Sequence, residues 1–449
     1  MGAMTGQRRP PIPPGPWLVV GLERSGAACA RALWKRGEPV IGVDLAEPPE
    51  AEALRREGIE IVTCSDGLEQ LERARAVVRS PGVPDEAPVL VAARAAAIPI
   101  YGELELGWRM LDCRFVAVTG TNGKTTTVEL LAEMWRAADQ PVVVAGNVGT
   151  AVSSLVGDLS ADTTVICEAS SFQLADSVAF APDCAVLLNV SPDHIDRHGD
   201  FQAYQEAKLR LFAFQSATDV AVSSTDLLAL SSGNARRVTV GEGDADIVVQ
   251  GDQIYWRGER LLGSDEIALR GAHNLQNALC AAAAALSMGI DAEAVVEALR
   301  NFAGVAHRLE EIGSAADVLW VNDSKATNVA AAIAALEAFD QPLHLIAGGQ
   351  AKAQHFGALA DVAALRVRTA YLIGEDAELI AAAFEGKVEC LRCGDLNGAI
   401  DAAQMGAEEG DVVLLSPACA SFDQFVEGYE QRGDQFRLIV QQLSGFSGR

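Results

Sequence analysis

A short segment rich in glycine and threonine, with one lysine, carries the clearest chemistry in this sequence. The segment Thr119-Gly120-Thr121-Asn122-Gly123-Lys124-Thr125-Thr126 follows the apolar run Phe115–Val118 and precedes a helical pattern. Glycines at such a turn let backbone N–H groups converge on phosphate oxygens, and the helix N-terminus adds partial positive charge. Lys124 would reach the β- and γ-phosphates, and Thr125 or Thr126 would ligate Mg²⁺. A valine stands where the GxxxxGK[ST] pattern has its first glycine, which disfavours the GTPase and motor branches. The segment predicts binding of nucleotide phosphates.

A second turn, Gly21-Leu22-Glu23-Arg24-Ser25-Gly26, follows the first strand pattern, where dinucleotide-binding sheets carry GxGxxG. Glu23 replaces the middle glycine, and its side chain would block the close approach of a pyrophosphate. A nicotinamide cofactor is therefore disfavoured. Asp44 ends the next strand pattern, where a ribose-binding acid is common. A uridine-type diphosphate held by this turn and by Ser80-Pro81-Gly82 fits better. A purely structural strand–helix turn is the alternative.

Acidic and imidazole side chains follow two later strand patterns. Glu168 closes Thr164–Cys167, and Ala185–Asn189 leads into Asp193-His194-Ile195-Asp196-Arg197-His198. A carboxylate and an imidazole at neighbouring strand ends suit Mg²⁺ or Mn²⁺ that bridges phosphates to a second anion. Beside a phosphate loop, this arrangement favours a metal site.

Lys208 lies farther along the chain, in the helical pattern from Ala203 to Phe214, between polar and apolar neighbours. Composition alone predicts that it is a solvated helix lysine.

Composition excludes several classes of protein. The 449 residues carry 35 Lys and Arg against 61 Asp and Glu, a formal charge of −26, which leaves no footprint for non-specific nucleic-acid binding. No run of about 18 residues is apolar enough to span a membrane, and residues 1–16 lack the apolar stretch of a secretory signal. The nine cysteines are expected to be reduced thiols, and the pair Cys390 and Cys393 lacks two further metal ligands. We expect a cytoplasmic protein.

Apolar runs of strand length alternate with longer helical patterns along the whole chain. This alternation predicts an α/β fold with mostly parallel sheets. Fresh strand–helix starts occur near Trp17, Phe115 and Val318. We place domain joints near Leu106 and Gly304, which predicts domains over residues 1–106, 107–304 and 305–449.

The combination of these motifs resembles the Mur ligase family. Two of the matching segments, NDSKATN from Asn322 and SPACASFDQF from Ser416, resemble the members of the family that add glutamate. The other matching segments are Gly120–Thr126, Gly146-Asn147-Val148-Gly149, Glu168–Leu174, Asp193-His194 with Lys208, His273–Ala278, and His307-Arg308.

The resemblance implies three domains: a Rossmann-like UDP-binding sheet, a central P-loop ATPase and a C-terminal Rossmann-like domain that admits the amino acid. It implies that ATP phosphorylates the L-alanine carboxylate of UDP-N-acetylmuramoyl-L-alanine. The amine of D-glutamate would then attack the acyl phosphate and expel phosphate, in the synthesis of a peptidoglycan precursor. ATP and Mg²⁺ would be the cofactors, both substrates would be small molecules, and the chain is expected to be a monomer.

The resemblance also assigns roles to single residues. Lys124 would hold phosphates, while Thr125, Glu168, His194 and Lys208 would organise the metal ions, with Lys208 converted by CO₂ to a carbamate. The residues expected to contact ATP are Gly120, Thr121, Asn122, Gly123, Lys124, Thr125, Thr126, Asn274, Asn277, Arg308, Asp323 and Lys325. Those expected at the UDP-sugar are Glu23, Arg24, Ser25, Asp44, Ser80, Gly82 and Asn147. Those expected at glutamate are Thr327, Lys352, Ser421 and Tyr429.

Three alternatives stay open at this point. The first is addition of L-glutamate, since related ligases accept this enantiomer and Tyr429 stands where a phenylalanine is common. Folylpolyglutamate synthase shares the phosphate loop, but it begins with its ATPase domain, whereas about a hundred residues precede Phe115 here. The third alternative is a nucleotide-dependent switch, which would not explain the presence of Glu168, His194, Lys208 and Arg308. The DNPR motif of diaminopimelate-adding relatives is absent.

Overall fold

The computed structural model describes residues 9–351 and 354–448, and the side chain of Asp196 is not described. The described chain divides into two compact units. The first runs to Leu262 and includes Ala278–Ala298, and the second holds Gly263–Asn277 and the chain from Leu299. Across the described ranges, no helix is long and apolar enough to cross a membrane.

The N-terminal sheet has five parallel strands in the order β3-β2-β1-β4-β5. Its elements are β1 Trp17–Val20, α1 Arg24–Lys35, β2 Val40–Asp44, α2 Ala51–Arg56, β3 Glu60–Thr63, α3 Leu68–Leu71, β4 Ala76–Arg79, α4 Pro88–Ala95, β5 Ile100–Gly102 and α5 Glu103–Met110. Strands β1 and β4 are buried along their whole length, as expected for a parallel sheet covered on both faces. The strand order reverses between β1 and β4, which is where open α/β sheets bind ligands.

The central sheet has nine strands in the order β14-β13-β12-β11-β10-β9-β6-β8-β7. Its strands are β6 Arg114–Thr119, β7 Val142–Gly146, β8 Thr164–Glu168, β9 Cys184–Leu187, β10 Val220–Ser223, β11 Arg236–Gly241, β12 Ile247–Gln250, β13 Gln253–Trp256 and β14 Glu259–Gly263. The helices are α6 Lys124–Ala137, α7 Ser171–Ala175, α8 Ile195–His198, α9 Phe201–Ala213, α10 Thr225–Leu230, α11 Ala272–Ser287 and α12 Ala292–Asn301. Because β6 lies between β8 and β9, the loops that follow these three strands leave the same edge of the sheet.

The C-terminal sheet has seven strands in the order β19-β18-β17-β20-β16-β15-β21. Its elements are β15 Glu310–Ala315, β16 Val318–Asn322, α13 Val329–Leu336, β17 Leu343–Gly348, α14 Gly357–Arg366, β18 Val367–Ile373, α15 Ala377–Phe384, β19 Glu389–Gly394, α16 Leu396–Gly406, β20 Val412–Leu415, α17 Tyr429–Val440 and β21 Phe446–Gly448. Strand β15 runs antiparallel to β16 and β21, and the other pairs are parallel.

The predicted α/β class with mostly parallel sheets is confirmed. The main difference is an antiparallel segment, β12 to β13, joined through Gly251 and Asp252 at the edge of the central sheet. Gly251 has φ +64°, a conformation that glycine adopts without strain. The predicted strand Ala185–Asn189 ends earlier, at Leu187.

Candidate active site

The phosphate loop is a tight turn between β6 and α6. Gly123 has φ +84° and stands directly before Lys124, the first residue of α6. The Lys124 side chain folds back over the loop, and its Nζ donates to the carbonyl oxygens of Gly120 and Thr121, each at 2.9 Å. The backbone N–H of Asn122 donates to Asn189 Oδ1 at 3.0 Å, which ties the loop to the segment after β9. The strand–loop–helix context predicted for phosphate binding is present.

A buried carboxylate lies against the start of α6. Glu168 ends β8 and is only 3% exposed. Its Oε2 accepts a hydrogen bond from Thr125 Oγ1 at 2.6 Å, and its Oε1 accepts one from Asn147 Nδ2 at 2.9 Å. A hydroxyl and a carboxylate at this separation are hard oxygen donors of the kind that Mg²⁺ prefers. These residues therefore fit a magnesium ion beside the phosphate loop.

Lys208 lies on α9 and is buried, so the expectation that it is a solvated lysine is wrong. Its residue is 1% exposed, and its Nζ donates to Gly120 O at 2.7 Å and lies 4.6 Å from the ring centroid of Tyr204. Burial, together with the nearby ammonium of Lys124, lowers the pKa of Lys208 to about 6. The sequence pattern around Lys208 did not indicate this burial, because Gly120, which accepts its hydrogen bond, lies 88 residues away in the chain.

The two histidines after β9 pack around one aromatic ring. His194 has φ +52°, and its half-exposed ring lies 5.1 Å from the ring centroid of Phe172. The ring of His198 stacks on the same phenylalanine at 5.1 Å, and His198 Nε2 is hydrogen-bonded to Ser171 Oγ at 3.0 Å. Among the residues that the structure describes, no three or more His, Cys, Asp or Glu side chains form a group that could hold a metal by themselves.

A cavity of about 440 Å³ opens at the carboxyl ends of β1, β2 and β4. All seven residues predicted for the UDP-sugar line it: Glu23, Arg24, Ser25, Asp44, Ser80, Gly82 and Asn147. The Asp44 carboxylate accepts backbone N–H bonds from Leu22 at 2.7 Å and Ala46 at 2.9 Å, and therefore fixes the turn after β1. Gly146, Asn147 and Gln173 of the central sheet also contribute to its wall.

The second unit holds the other residues predicted for ATP. Asp323 follows β16 and accepts hydrogen bonds from Ser416 Oγ at 2.9 Å and from Leu309 N at 3.3 Å. Burial raises the pKa of Asp323 to about 7 despite these bonds. Lys325 Nζ lies 3.7 Å from the ring centroid of Tyr429. In α11, Asn277 Nδ2 donates to Asn274 Oδ1 at 3.3 Å.

Two of the residues predicted for glutamate, Thr327 and Ser421, lie on the loops of this unit that follow β16 and β20. Ser421 is 2% exposed and follows β20, and Tyr429 begins α17. Gln354 joins two of these loops, because its Nε2 donates to Thr327 O at 3.4 Å and to Ala418 O at 3.2 Å. Lys352 lies outside the described residues.

Two buried arginines were missed by the sequence analysis. Arg432, on α17, donates to Ser324 Oγ at 2.9 Å, Ser324 O at 2.8 Å and Cys419 O at 3.2 Å, which joins the loops after β16 and β20. Burial lowers the pKa of Arg432 to about 10. Arg79, at the end of β4, is also buried. No local pattern identifies either residue, since each contacts segments that are remote in sequence.

These features define an α/β protein with a glycine-rich strand–loop–helix turn and a cavity at the carboxyl ends of the N-terminal strands. Three family models match in sequence: "Mur ligase MurD-like, N-terminal domain" over residues 16–102, "Mur ligase middle domain" over 118–285, and "Mur ligase, glutamate ligase domain" over 307–419. The chain belongs to the Mur ligase family and is an enzyme of the ligase class.

Individual relatives span nearly the whole chain. The UDP-N-acetylmuramoylalanine–D-glutamate ligase of Acidobacterium capsulatum is 42% identical over 94% of this chain and 95% of its own length. The ligase of the same name from Pelotomaculum thermopropionicum is 40% identical over 95% of this chain and 97% of its own. The crystal structure of MurF ligase from Thermotoga maritima in complex with ADP has the same fold, with a TM-score of 0.61 at 17% identity, over 89% of this chain and 95% of that one.

Proposed function

We propose that this protein uses ATP and Mg²⁺ to join D-glutamate to UDP-N-acetylmuramoyl-L-alanine. The L-alanine carboxylate attacks the γ-phosphorus of ATP, which yields an acyl phosphate and ADP. The amine of D-glutamate then attacks the acyl carbon, and the tetrahedral intermediate expels phosphate as the amide forms. The observation that carries the proposal is the Glu168–Thr125 contact beside the phosphate loop, on a chain 42% identical to a ligase of that name.

The phosphoryl step gathers negative charge on phosphate oxygens, so positioned cations are the main source of catalysis. The Nζ of Lys124 now binds two loop carbonyls, and a rotation of this flexible side chain would present its ammonium to the β- and γ-phosphates. Thr125, Glu168 and His194 would hold the magnesium ions, with Asn147 orienting Glu168. Bound Mg²⁺ would neutralise charge on the oxygens that it contacts.

Lys208 requires a chemical change to serve as a metal ligand. A neutral amine reacts with CO₂ to give a carbamate and a proton, and a pKa of about 6 leaves this amine mostly neutral at pH 7. The resulting anion would be a metal ligand where the amine now donates to Gly120 O. We propose this modification for Lys208.

The remaining residues divide among the UDP-sugar, ATP and glutamate. The cavity lined by Asp44, Ser80 and Gly82 would hold the uridine diphosphate, and its wall at Asn147 lies near Glu168. In the second unit, Asn274, Asn277, Arg308, Asp323 and Lys325 would contact ATP. Thr327, Lys352, Ser421 and Tyr429 would contact glutamate.

The boundaries 1–106, 107–304 and 305–449, a monomeric state and a cytoplasmic location belong to the same proposal. The cysteines support the location, because no disulfide is formed among the described residues and reducing compartments keep thiols in that state.

Phosphate release measured with purified protein, ATP, Mg²⁺ and UDP-N-acetylmuramoyl-L-alanine tests the function directly. We expect release only when D-glutamate is added, and formation of the amide product by mass spectrometry. Release with L-glutamate alone would overturn the assignment of the enantiomer. Release with a folate in place of the UDP-sugar would overturn the assignment of the substrate.

A further inference from the structure

Arg79 joins two segments that are far apart in the chain. It is the last residue of β4, and its side chain is 6% exposed. Its Nε donates to Val83 O at 2.9 Å, and one terminal nitrogen donates to Asp85 Oδ1 at 2.8 Å and to Asp176 Oδ1 at 2.9 Å. Asp176 is 97 residues away and follows α7 of the central sheet.

The two segments form different parts of the wall of the 440 Å³ cavity. Residues Ser80 to Pro84 line the cavity from the first sheet, and Gln173 of α7 lines it from the central sheet. Arg79 itself does not line the cavity. It is hydrogen-bonded to Val83 of the loop that forms one part of the wall. It is also hydrogen-bonded to Asp176, which follows the helix that forms the other part.

One terminal nitrogen of this buried guanidinium bridges two carboxylates, and such a bridge can hold the two segments together. Arginine presents its donors in a rigid fork, and its hydrogen bonds to carboxylates are stronger than neutral ones. Burial raises the pKa of Asp176, while Arg79 opposes that shift, so the arginine is the main cation that favours the charged carboxylate. Without Arg79, Asp176 would lose this partner and the two segments would lose their direct link.

We propose that Arg79 is a positioning residue for the UDP-sugar substrate. This inference rests on the proposed function, in which the substrate is anchored by its uridine diphosphate at the first sheet and presents its carboxylate at the central sheet. The loop at Ser80 and the helix at Gln173 have to be held at a separation that suits the bound substrate, and Arg79 fixes that separation.

Steady-state kinetics of Arg79→Met test the inference, because methionine keeps an apolar stem and removes every donor. We expect the KM for UDP-N-acetylmuramoyl-L-alanine to rise about tenfold, as for loss of a charge-assisted contact, with the KM for ATP changed less than about twofold. Asp176→Asn, which keeps the size of the side chain, should raise the same KM. The double variant should be no worse than Arg79→Met, because both changes break one link.

Arg94→Met is the matched control. The terminal nitrogens of Arg94 also donate to Asp85, to its Oδ1 at 2.5 Å and to its backbone oxygen at 2.8 Å. The side chain of Arg94, however, is half-exposed. Its loss should leave both KM values unchanged.

An unchanged KM for the UDP-sugar in Arg79→Met and Asp176→Asn would overturn the inference and leave the proposed function intact. Equal rises in both KM values would also overturn it, since they would indicate general destabilisation. A wild-type protein that does not ligate the UDP-sugar at all would overturn the proposed function, and the inference with it.

Discussion

The side-chain nitrogen of Lys208 lies 2.7 Å from the carbonyl oxygen of Gly120, the first glycine of the phosphate loop. The lysine is almost fully buried, and Lys124 of the same loop is close enough to lower its pKa. Two lysines therefore converge on one loop carbonyl, since Lys124 Nζ donates to Gly120 O as well. Such an arrangement favours a neutral amine at Lys208.

Lys208→Ala should abolish ligation, and short carboxylates such as acetate should restore part of the activity. A carboxylate that enters the space left by the side chain would replace the anion that the carbamate provides. Phosphate release with and without added acetate measures the effect. Lys35→Ala, which removes an exposed lysine of α1, should be fully active and insensitive to acetate.

Full activity of Lys208→Ala without any additive would contradict a metal-binding role. A ¹³C-bicarbonate NMR experiment gives an independent readout. We expect a carbamate signal in the wild-type protein and none in Lys208→Gln.

Lys124→Ala should reduce ATP-dependent phosphate release by roughly 10²–10³-fold, the usual effect of removing one group that stabilises a developing charge. The fold should persist, because the hydrogen bonds from Lys124 Nζ to Gly120 O and Thr121 O lie within its own loop. Rates and thermal unfolding of Lys124→Ala and of Lys387→Ala check this. Lys387 is a surface lysine paired with Asp361, and its loss should have no effect on the rate.

Asp323 should make the protein less stable as the pH rises from acid to neutral. Burial raises its pKa from 3.8 to about 7. Between these values the folded protein keeps a proton that the unfolded chain has released, so the free energy of unfolding falls as the pH rises. Above pH 7 this contribution is constant.

Asp323→Asn should remove this fall in the free energy of unfolding with rising pH, because the amide is neutral at every pH. We expect the variant to gain about 1–3 kcal/mol over the wild type at pH 8 and little at pH 4, in urea unfolding curves. It should lose ligase activity if the carboxylate contacts ATP. Asp317→Asn, at an exposed position, should leave the pH dependence unchanged. Equal stability differences at both pH values would contradict the shifted pKa.

The sequence predicts best what depends on neighbouring residues. The phosphate loop requires a glycine with positive φ directly before a helix that begins with lysine, and Gly123 and Lys124 meet that requirement locally. The grouping of the residues predicted for the UDP-sugar follows from a rule of topology, since loops after neighbouring parallel strands share one edge of a sheet. Asp44 and Ser80 accordingly line one cavity.

Contacts between remote segments could not be predicted in this way. The side chain of Lys208 contacts Gly120, and the hydrogen bond from Arg79 to Asp176 joins the end of β4 to the residue after α7. Neither contact changes the local pattern of polar and apolar residues. A single sequence records only that pattern, so a buried cation looks the same in it as a solvated one.

Lys352→Ala and Ser421→Ala address the specificity for the amino acid. A charge-assisted contact to a carboxylate contributes about 1.5–3 kcal/mol, so the loss of Lys352 should raise the KM for glutamate roughly 10–100-fold. The loss of the Ser421 hydroxyl, a neutral donor, should raise it less. The KM for ATP should stay nearly constant in both variants, because the phosphate loop lies on the central sheet. Both variants are to be assayed with D- and L-glutamate, and the wild type should prefer the D-enantiomer. A rise in the KM for ATP that equals the rise for glutamate would show that Lys352 does not belong to the amino-acid pocket.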